Sequence, residues 1–182
     1  MFEQKVSSRY AQAVLSTAIS TGFADRVFDD FIIIRDTIKS SREFYTFLKS
    51  PIIRFWQKKK VFQEVFSSSV SELTLNFIIL LADKHRESLL PSIIAQYQAQ
   101  YNAENNRLPV EISSAVALSD DLKKKIMTRL EGYTKKTVLP EYSIDKKLKG
   151  GITVRIDDWV FDGSIKNQLE ILFKKLSEGK EI

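Results

Sequence analysis

The chain is 182 residues long, 43% hydrophobic and 28% charged, the make-up of a folded protein with a core to bury and room for one domain or two small ones. It has no cysteine and one histidine, which excludes disulfides, thiolate chemistry, sulfur-ligated zinc and multi-histidine metal clusters. The net charge of +5 is modest, and no apolar run approaches the roughly 20 residues of a membrane span.

The opening stretch, MFEQKVSSRYAQAVLSTAIS, is amphipathic and serine-rich like a transit peptide, but Glu3 and the scarcity of arginine predict a helix of the folded protein instead. On a helical wheel, Val6, Tyr10, Ala11, Ala13, Val14, Leu15, Thr17, Ala18 and Ile19 fill an arc of roughly 240°, whereas one neighbouring core needs little more than about 100°. The surplus predicts a second apolar contact. Onward to about Asn105 there is one glycine, Gly22, and proline occurs only at Pro51 and Pro91. Apolar residues recur there at helical spacing: Phe28, Phe31, Ile32 and Ile38; Phe44, Phe47 and Leu48; Phe55, Phe62 and Phe66; Leu73, Phe77, Leu80 and Leu81; Ile93, Ile94, Tyr97 and Tyr101. This predicts an N-terminal six-helix bundle over residues 1–105.

The run Phe77-Ile78-Ile79-Leu80-Leu81 points in nearly every direction around its helix. If the first and fifth helices are neighbours, their surplus forms an apolar groove for an incoming amphipathic helix; if both are central, the domain buries that surplus itself. Two lysine triplets, Lys58 to Lys60 and Lys123 to Lys125, are candidates for phosphate or an acidic surface, but a triplet fans out over roughly 200° of a helix and so reads as a solvated face. His85, amid Asp83-Lys84-His85-Arg86-Glu87, reads as a solvated or capping residue at a helix end.

After the polar joint Asn102 to Asn106 the pattern changes. Val110, Ile112 and Ser114 alternate with Glu111 and Ser113 as in a strand, Asp120 to Gly132 reads as a helix, and Val138 to Ile144 and Ile152 to Ile156 read as strands. The fold class is therefore mainly α with a smaller α/β part: a helical bundle followed by a small C-terminal α/β domain over residues 106–182. The stretch GGITVRIDDWVFDGSIKNQLE, from Gly150, invites comparison with a phosphate loop, but GxxxxGK[ST], GxGxxG, HExxH and GxSxG are all absent. Gly150-Gly151 reads as a turn or bulge where side chains would clash. Asp157-Asp158 reads as a hairpin turn, and Asp162-Gly163-Ser164 as strand end, joint and helix N-cap. The three aspartates do not match a calcium loop. No catalytic, cofactor-binding or metal site is predicted.

Several of these pieces in order resemble the delta subunit of the F-type ATP synthase, the counterpart of the mitochondrial oligomycin-sensitivity-conferring protein. They are Arg9-Tyr10-Ala11-x-Ala13; Ser50-Pro51-Ile52 with Lys60 following; Asn76-Phe77 to Leu81; Lys84-His85-Arg86; Ser114-Ala115-x-x-Leu118-Ser119; Ile144-Asp145-x-x-Leu148-x-Gly150-Gly151-Ile152-x-Val154-Arg155-Ile156; and Asp162-Gly163-Ser164 with Leu169. The closing double glycine, valine-arginine strand and Asp-Gly-Ser carry most of the likeness. Lys166 and Lys146 depart from it, standing where the family often has arginine and proline.

The resemblance implies a non-catalytic stator connector that couples proton-driven rotation to ATP synthesis. Its helical domain would cap the catalytic head by binding the N-terminal helix of an alpha subunit between helices one and five, and its second domain would hold the b-type subunits of the peripheral stalk. Projected onto this sequence, the alpha-subunit groove takes Tyr10, Ala13, Val14, Phe77, Leu80 and Leu81, with Arg9 pairing an acid at the rim. The stalk site takes Val160, Phe161, Ile165, Leu169 and Leu172, residues that equally suit the small domain's own core. No cofactor, no nucleic acid and no membrane insertion are implied, and the location is peripheral, on the cytoplasmic face of a bacterial cell membrane or its plastid equivalent. The alternative is a basic nucleic-acid-binding module built on the lysine triplets, with steeply salt-dependent binding.

Overall fold

The computed structural model describes residues 2–156 and 158–177. It is mostly helical with one small four-stranded sheet, and the chain divides into two units, one running to Tyr101 and the other starting at Asn102. Six α-helices precede the first strand: α1 (Phe2–Thr21), α2 (Ala24–Ser40), α3 (Arg42–Lys49), α4 (Phe55–Phe66), α5 (Glu72–Asp83) and α6 (Leu90–Glu104), with one 3-10 turn at Glu87–Leu89.

Short polar residues set the helix ends. Ser41 closes α2 by donating its N–H to the Thr37 carbonyl (3.1 Å) and opens α3 by accepting the Phe44 N–H on its hydroxyl (3.1 Å). Ser71 does the same for α5, accepting from Thr74 N. Between these ends the apolar periodicity turns inward. Phe31, Ile34, Leu48, Phe62, Phe66, Ile78, Leu81 and Tyr97 are fully buried in one continuous core, and each such side chain stabilises by about 1.5–3 kcal/mol. Phe31 meets Tyr97 edge to face with ring centroids 4.8 Å apart. The Tyr97 hydroxyl donates to the Ala24 carbonyl (3.1 Å), and burial keeps this phenol well above its ordinary pKa.

Two buried charge clusters lock the helices together. Asp30 of α2 is wholly buried, and its Oδ2 accepts from Ser71 N (2.8 Å), Ser71 Oγ (2.6 Å) and Thr74 Oγ1 (2.8 Å) while Oδ1 meets Arg26 Nε at 3.1 Å. A carboxylate thus sits at the N-terminus of α5, where orphan N–H groups and the helix dipole favour it. Lys58 of α4 is buried too, donating to the Ser50 carbonyl (2.7 Å) and pairing with the buried Glu87. Neither of those charges can lose its partner cheaply.

In the second unit the sheet runs β2-β1-β3-β4. Strand β1 (Arg107–Ser114) pairs parallel with β2 (Thr137–Ile144) and antiparallel with β3 (Ile152–Ile156), which pairs antiparallel with β4 (Trp159–Asp162). The parallel pair needs a crossover, supplied by α7 (Asp120–Thr134), whose N-terminus Ser119 caps. Pro140 sits in the edge strand β2, where a missing N–H is tolerated. Leu108, Val110, Ile112, Val138 and Val154 form the core, with Ile126, Met127 and Leu130 of α7 packed on it. The chain ends in α8 (Ile165–Ser177).

The hairpin between Ile156 and Trp159 is present; of its two expected turn residues, Asp157 lies outside the described residues. All four residues of its second strand, β4, are exposed. The glycine pair explains the close of the chain. A Cβ on Gly151, whose φ is +82°, would stand 2.3 Å from the Gly163 carbonyl oxygen, and one on Gly150 would stand 2.5 Å from Ile165 Cδ1. Here Gly163 N donates to Ile152 O (2.9 Å) and Ile165 N to Gly150 O (3.0 Å), so double glycine and Asp-Gly-Ser are two sides of one backbone contact.

Gly151→Ala is therefore expected to cost about 2 kcal/mol or more in urea unfolding, because strain and a backbone clash add. Gly22→Ala is the control: its φ is +74° but nothing lies within 4 Å of the new methyl, so about 1 kcal/mol is expected. Equal costs at the two sites would sink this account.

Candidate functional site

Helices α1 and α5 meet through Tyr10 and Phe77, whose ring centroids lie 6.4 Å apart. Ala11, Val14, Leu15 and Ala18 of α1 turn into the core. On the remaining arc, Val6 and Tyr10 are half-buried and Ala13 and Thr17 exposed, a stripe at helical spacing that the first unit covers only in part. On α5 the apolar belt is mostly absorbed: Ile78, Leu81 and Ala82 are buried, Phe77 is 8% exposed, and Leu80 at 46% is the one large residue that stands out. Half-buried Leu73 and exposed Asn76 share its side of the helix.

The expected groove residues thus separate into three groups. Tyr10, Ala13 and Leu80 present surface, with Phe77 as floor beneath Tyr10. Val14 and Leu81 serve the core and offer no face to a partner, because the α-helical repeat carries position 14 a full turn-fraction inward from 13, and 81 likewise from 80. Arg9 stands apart from the Tyr10 side, lining a polar hollow with Gln4, Lys5, Ser8 and Gln96 of α6.

A cation stands beside Tyr10: the guanidinium carbon of Arg86 lies 5.6 Å from the centre of its ring. Its placement follows from how α5 ends. His85 takes a left-handed backbone (φ 53°), which lets His85 N donate to Ala82 O (3.0 Å) and turns the chain so that Arg86 N reaches Leu81 O (2.8 Å). Capping is thus His85's role, done by its backbone. Lys84-His85-Arg86 was visible as a motif, but nothing in linear spacing tells which member a reversal of the chain brings back onto α1.

In the second unit, the residues that equally suited a core do not form one. Val160 (55% exposed), Phe161 (70%), Ile165, Leu169 and Leu172 all reach solvent, as do Trp159 (83%) and Phe173 (75%), which the sequence reading missed. Phe161 and Trp159 lie opposite Val154 and Ile156 in register and so share the sheet face on which α7 packs, but on an edge strand where both remain exposed. Along α8, Ile165, Leu169, Leu172 and Phe173 follow i, i+4, i+7, i+8, so Phe173 was legible from that spacing. They line a shallow hollow together with Lys149.

Chemistry at the acids is structural. Asp162 is fully exposed, accepts from Ser164 N (2.9 Å), and is held below the usual carboxylate range by Ser164, whose side chain and then backbone bond it. Ser164 Oγ in turn accepts from Asn167 N (3.2 Å), the expected N-cap. Among the described residues no three His, Cys, Asp or Glu side chains converge to hold a metal ion, and no helix is long and apolar enough to cross a membrane. The lysine triplets form no joint patch: Lys58 is buried, Lys60 reaches Glu64 (3.8 Å), and Lys123 pairs with Asp120 (3.0 Å).

Comparison with known proteins gives a consistent result. A family model described as ATP synthase delta (OSCP) subunit matches residues 6–176. Proteins named ATP synthase subunit delta are similar along nearly their whole length: one from Chlorobaculum parvum is 39% identical over 170 residues, covering 93% of this chain and 94% of its own. One from Chloroherpeton thalassium is 36% identical over 174 residues, covering 96% and 95%. Among solved structures, a chain of the Toxoplasma gondii mitochondrial ATP synthase hexamer shares the fold, with a TM-score of 0.73 at 20% identity over 93% of this chain and 96% of that one.

The left-handed turn carries a prediction of its own. His85→Gly is expected to change urea-unfolding stability by no more than about 0.5 kcal/mol, whereas His85→Val, β-branched and ill-suited to positive φ, costs about 1–2 kcal/mol. A Val variant as stable as the Gly variant would contradict this role for the backbone.

Proposed function

The chain belongs to the ATP synthase delta (OSCP) subunit family, which makes it a non-catalytic peripheral-stalk subunit of the ATP synthase, and we propose that its two units grip the two ends of the stator connection. The six helices act as one bundle, broadly residues 1–105, that receives the N-terminal helix of an alpha subunit between α1 and α5 and so caps the catalytic head. The sheet and α8, within residues 106–182, hold the end of the b-type stalk subunits. The connection keeps the head from turning with the rotor, so that proton-driven rotation does work on ATP synthesis, at the cytoplasmic face of the bacterial cell membrane.

The observation that carries this reading is apolar surface left over in both units after each has closed its own core. In the first it is the stripe of Val6, Tyr10, Ala13 and Thr17 on α1 and Leu80 on α5; in the second it is β4 with the apolar stripe of α8. Surface of this kind suits helical partners that stay attached under torque. A nanomolar contact corresponds to about 12 kcal/mol, within reach of a few anchors in a complementary groove. Anchoring falls to Tyr10, Phe77 and Leu80, while Ala13 keeps the groove floor low enough for a helix to approach. On the stalk side Val160, Phe161, Ile165, Leu169 and Leu172 do this, joined by Trp159 and Phe173.

Ala13→Glu places a charge in the groove at an exposed position. It is expected to weaken binding of an alpha-subunit N-terminal peptide about 100-fold with an unchanged melting temperature; unchanged affinity in titration calorimetry refutes the docking site. For the stalk, Leu169→Asp in the full chain is expected to lower affinity for a C-terminal b-type fragment at least about tenfold. Wild-type retention in pull-down with a circular dichroism spectrum unaltered removes α8 from that contact.

A further inference from the structure

We propose that Arg86 recognises an acidic side chain on the helix that docks between α1 and α5, and thereby sets which end of that helix lies against the C-terminus of α5; this rests on the groove reading above. The guanidinium is held over the Tyr10 ring at 5.6 Å, and Tyr10 is itself held against Phe77. Its backbone is tied by the left-handed turn, through Arg86 N to Leu81 O. An arginine tied at its backbone and resting over a ring loses less rotamer freedom when a partner arrives, and its guanidinium N–H groups have no carboxylate partner among the described residues.

The described residues do not supply that carboxylate. Among the described residues no acid pairs with Arg86, whereas Arg26 and Arg35 each meet one at 3.1 and 2.9 Å. The acids nearest in sequence are already engaged, Asp83 with Lys84 at 3.1 Å and Glu87 with buried Lys58. Arg9 faces the polar hollow toward Gln96 instead. The cation at the groove is thus exposed and, among the described residues, without a counter-charge, next to apolar surface that a partner would dry. A charge-assisted pair formed there gains strength as water leaves. A helix docked the opposite way round would bring its apolar or basic end to Arg86, which disfavours that orientation.

The test uses the full chain and a fluorescently labelled peptide with the N-terminal sequence of the alpha subunit from the same complex, plus variants with each acid changed to its amide. Arg86→Gln is expected to weaken binding roughly tenfold, with the loss shrinking at high salt, and Arg86→Lys to recover part of it. One acid-to-amide change should cause the same loss in the wild-type chain and little further loss in Arg86→Gln, a coupling that a purely structural role for Arg86 would not produce. Full affinity of Arg86→Gln, losses that simply add for every acid, or tight binding of a peptide stripped of acids overturns the inference while leaving the groove intact. No binding of the wild-type chain to any of these peptides overturns the groove reading as well.

Discussion

A buried carboxylate decides where α5 begins. Asp30 receives the Ser71 N–H, its hydroxyl and the Thr74 hydroxyl, so the first turn of α5 is tied to the middle of α2 by charge-assisted bonds inside the core. The other end is determined as tightly by the left-handed turn at His85. With both ends held, the rotation of α5 is set, and it follows that Ile78, Leu81 and Ala82 are buried while Leu80 is not. The apolar surface that α5 leaves exposed is a product of that rotation. A change of one residue in the phase of α5 would bury Leu80 and present something else.

The second unit rests on a steric constraint in place of an electrostatic one. The backbone of Gly163 and Ser164 closes on Gly151 at distances no side chain permits, and Ile165 lies over Gly150. This fastens the start of α8 to the start of β3 while the body of the helix gains almost no burial: of its described side chains only Asn167 is half-covered. A firmly rooted helix with an unburied apolar stripe suits a stator, in which attachment must persist under load and the holding surface must remain free for a partner.

These two constraints also explain what linear reasoning could and could not see. The helical segments were legible as periodicity and Ser164 as an N-cap because both signals are local; Ser41, Ser71 and Ser119 cap by the same bond to a residue three further on. The surplus of apolar surface on α1 was legible too, since a wheel counts directions. Its division was not. Val14 and Leu81 are as apolar as Tyr10 and Leu80, and only packing against the other helices separates core from groove. Arg9 reads as the rim cation in the linear chain, yet the turn at His85 brings Arg86 onto Tyr10 while the helical repeat carries Arg9 toward α6. Lys58, in a triplet that reads as solvated, is buried because Glu87, distant in sequence, meets it.

By itself the sequence determined the kinds of elements and their order, the absence of the residue sets that sulfur-based and multi-histidine chemistry require, and, through motifs at matched spacing, the family. These depend on local propensity, composition and order along the chain. The tertiary structure decided which apolar residues are left exposed, which lysine is buried, which arginine stands over Tyr10, and why a double glycine and an Asp-Gly-Ser belong together. Each of those depends on contacts between residues far apart in the chain, and such contacts exist only once the helices and strands have been brought to their packing distances.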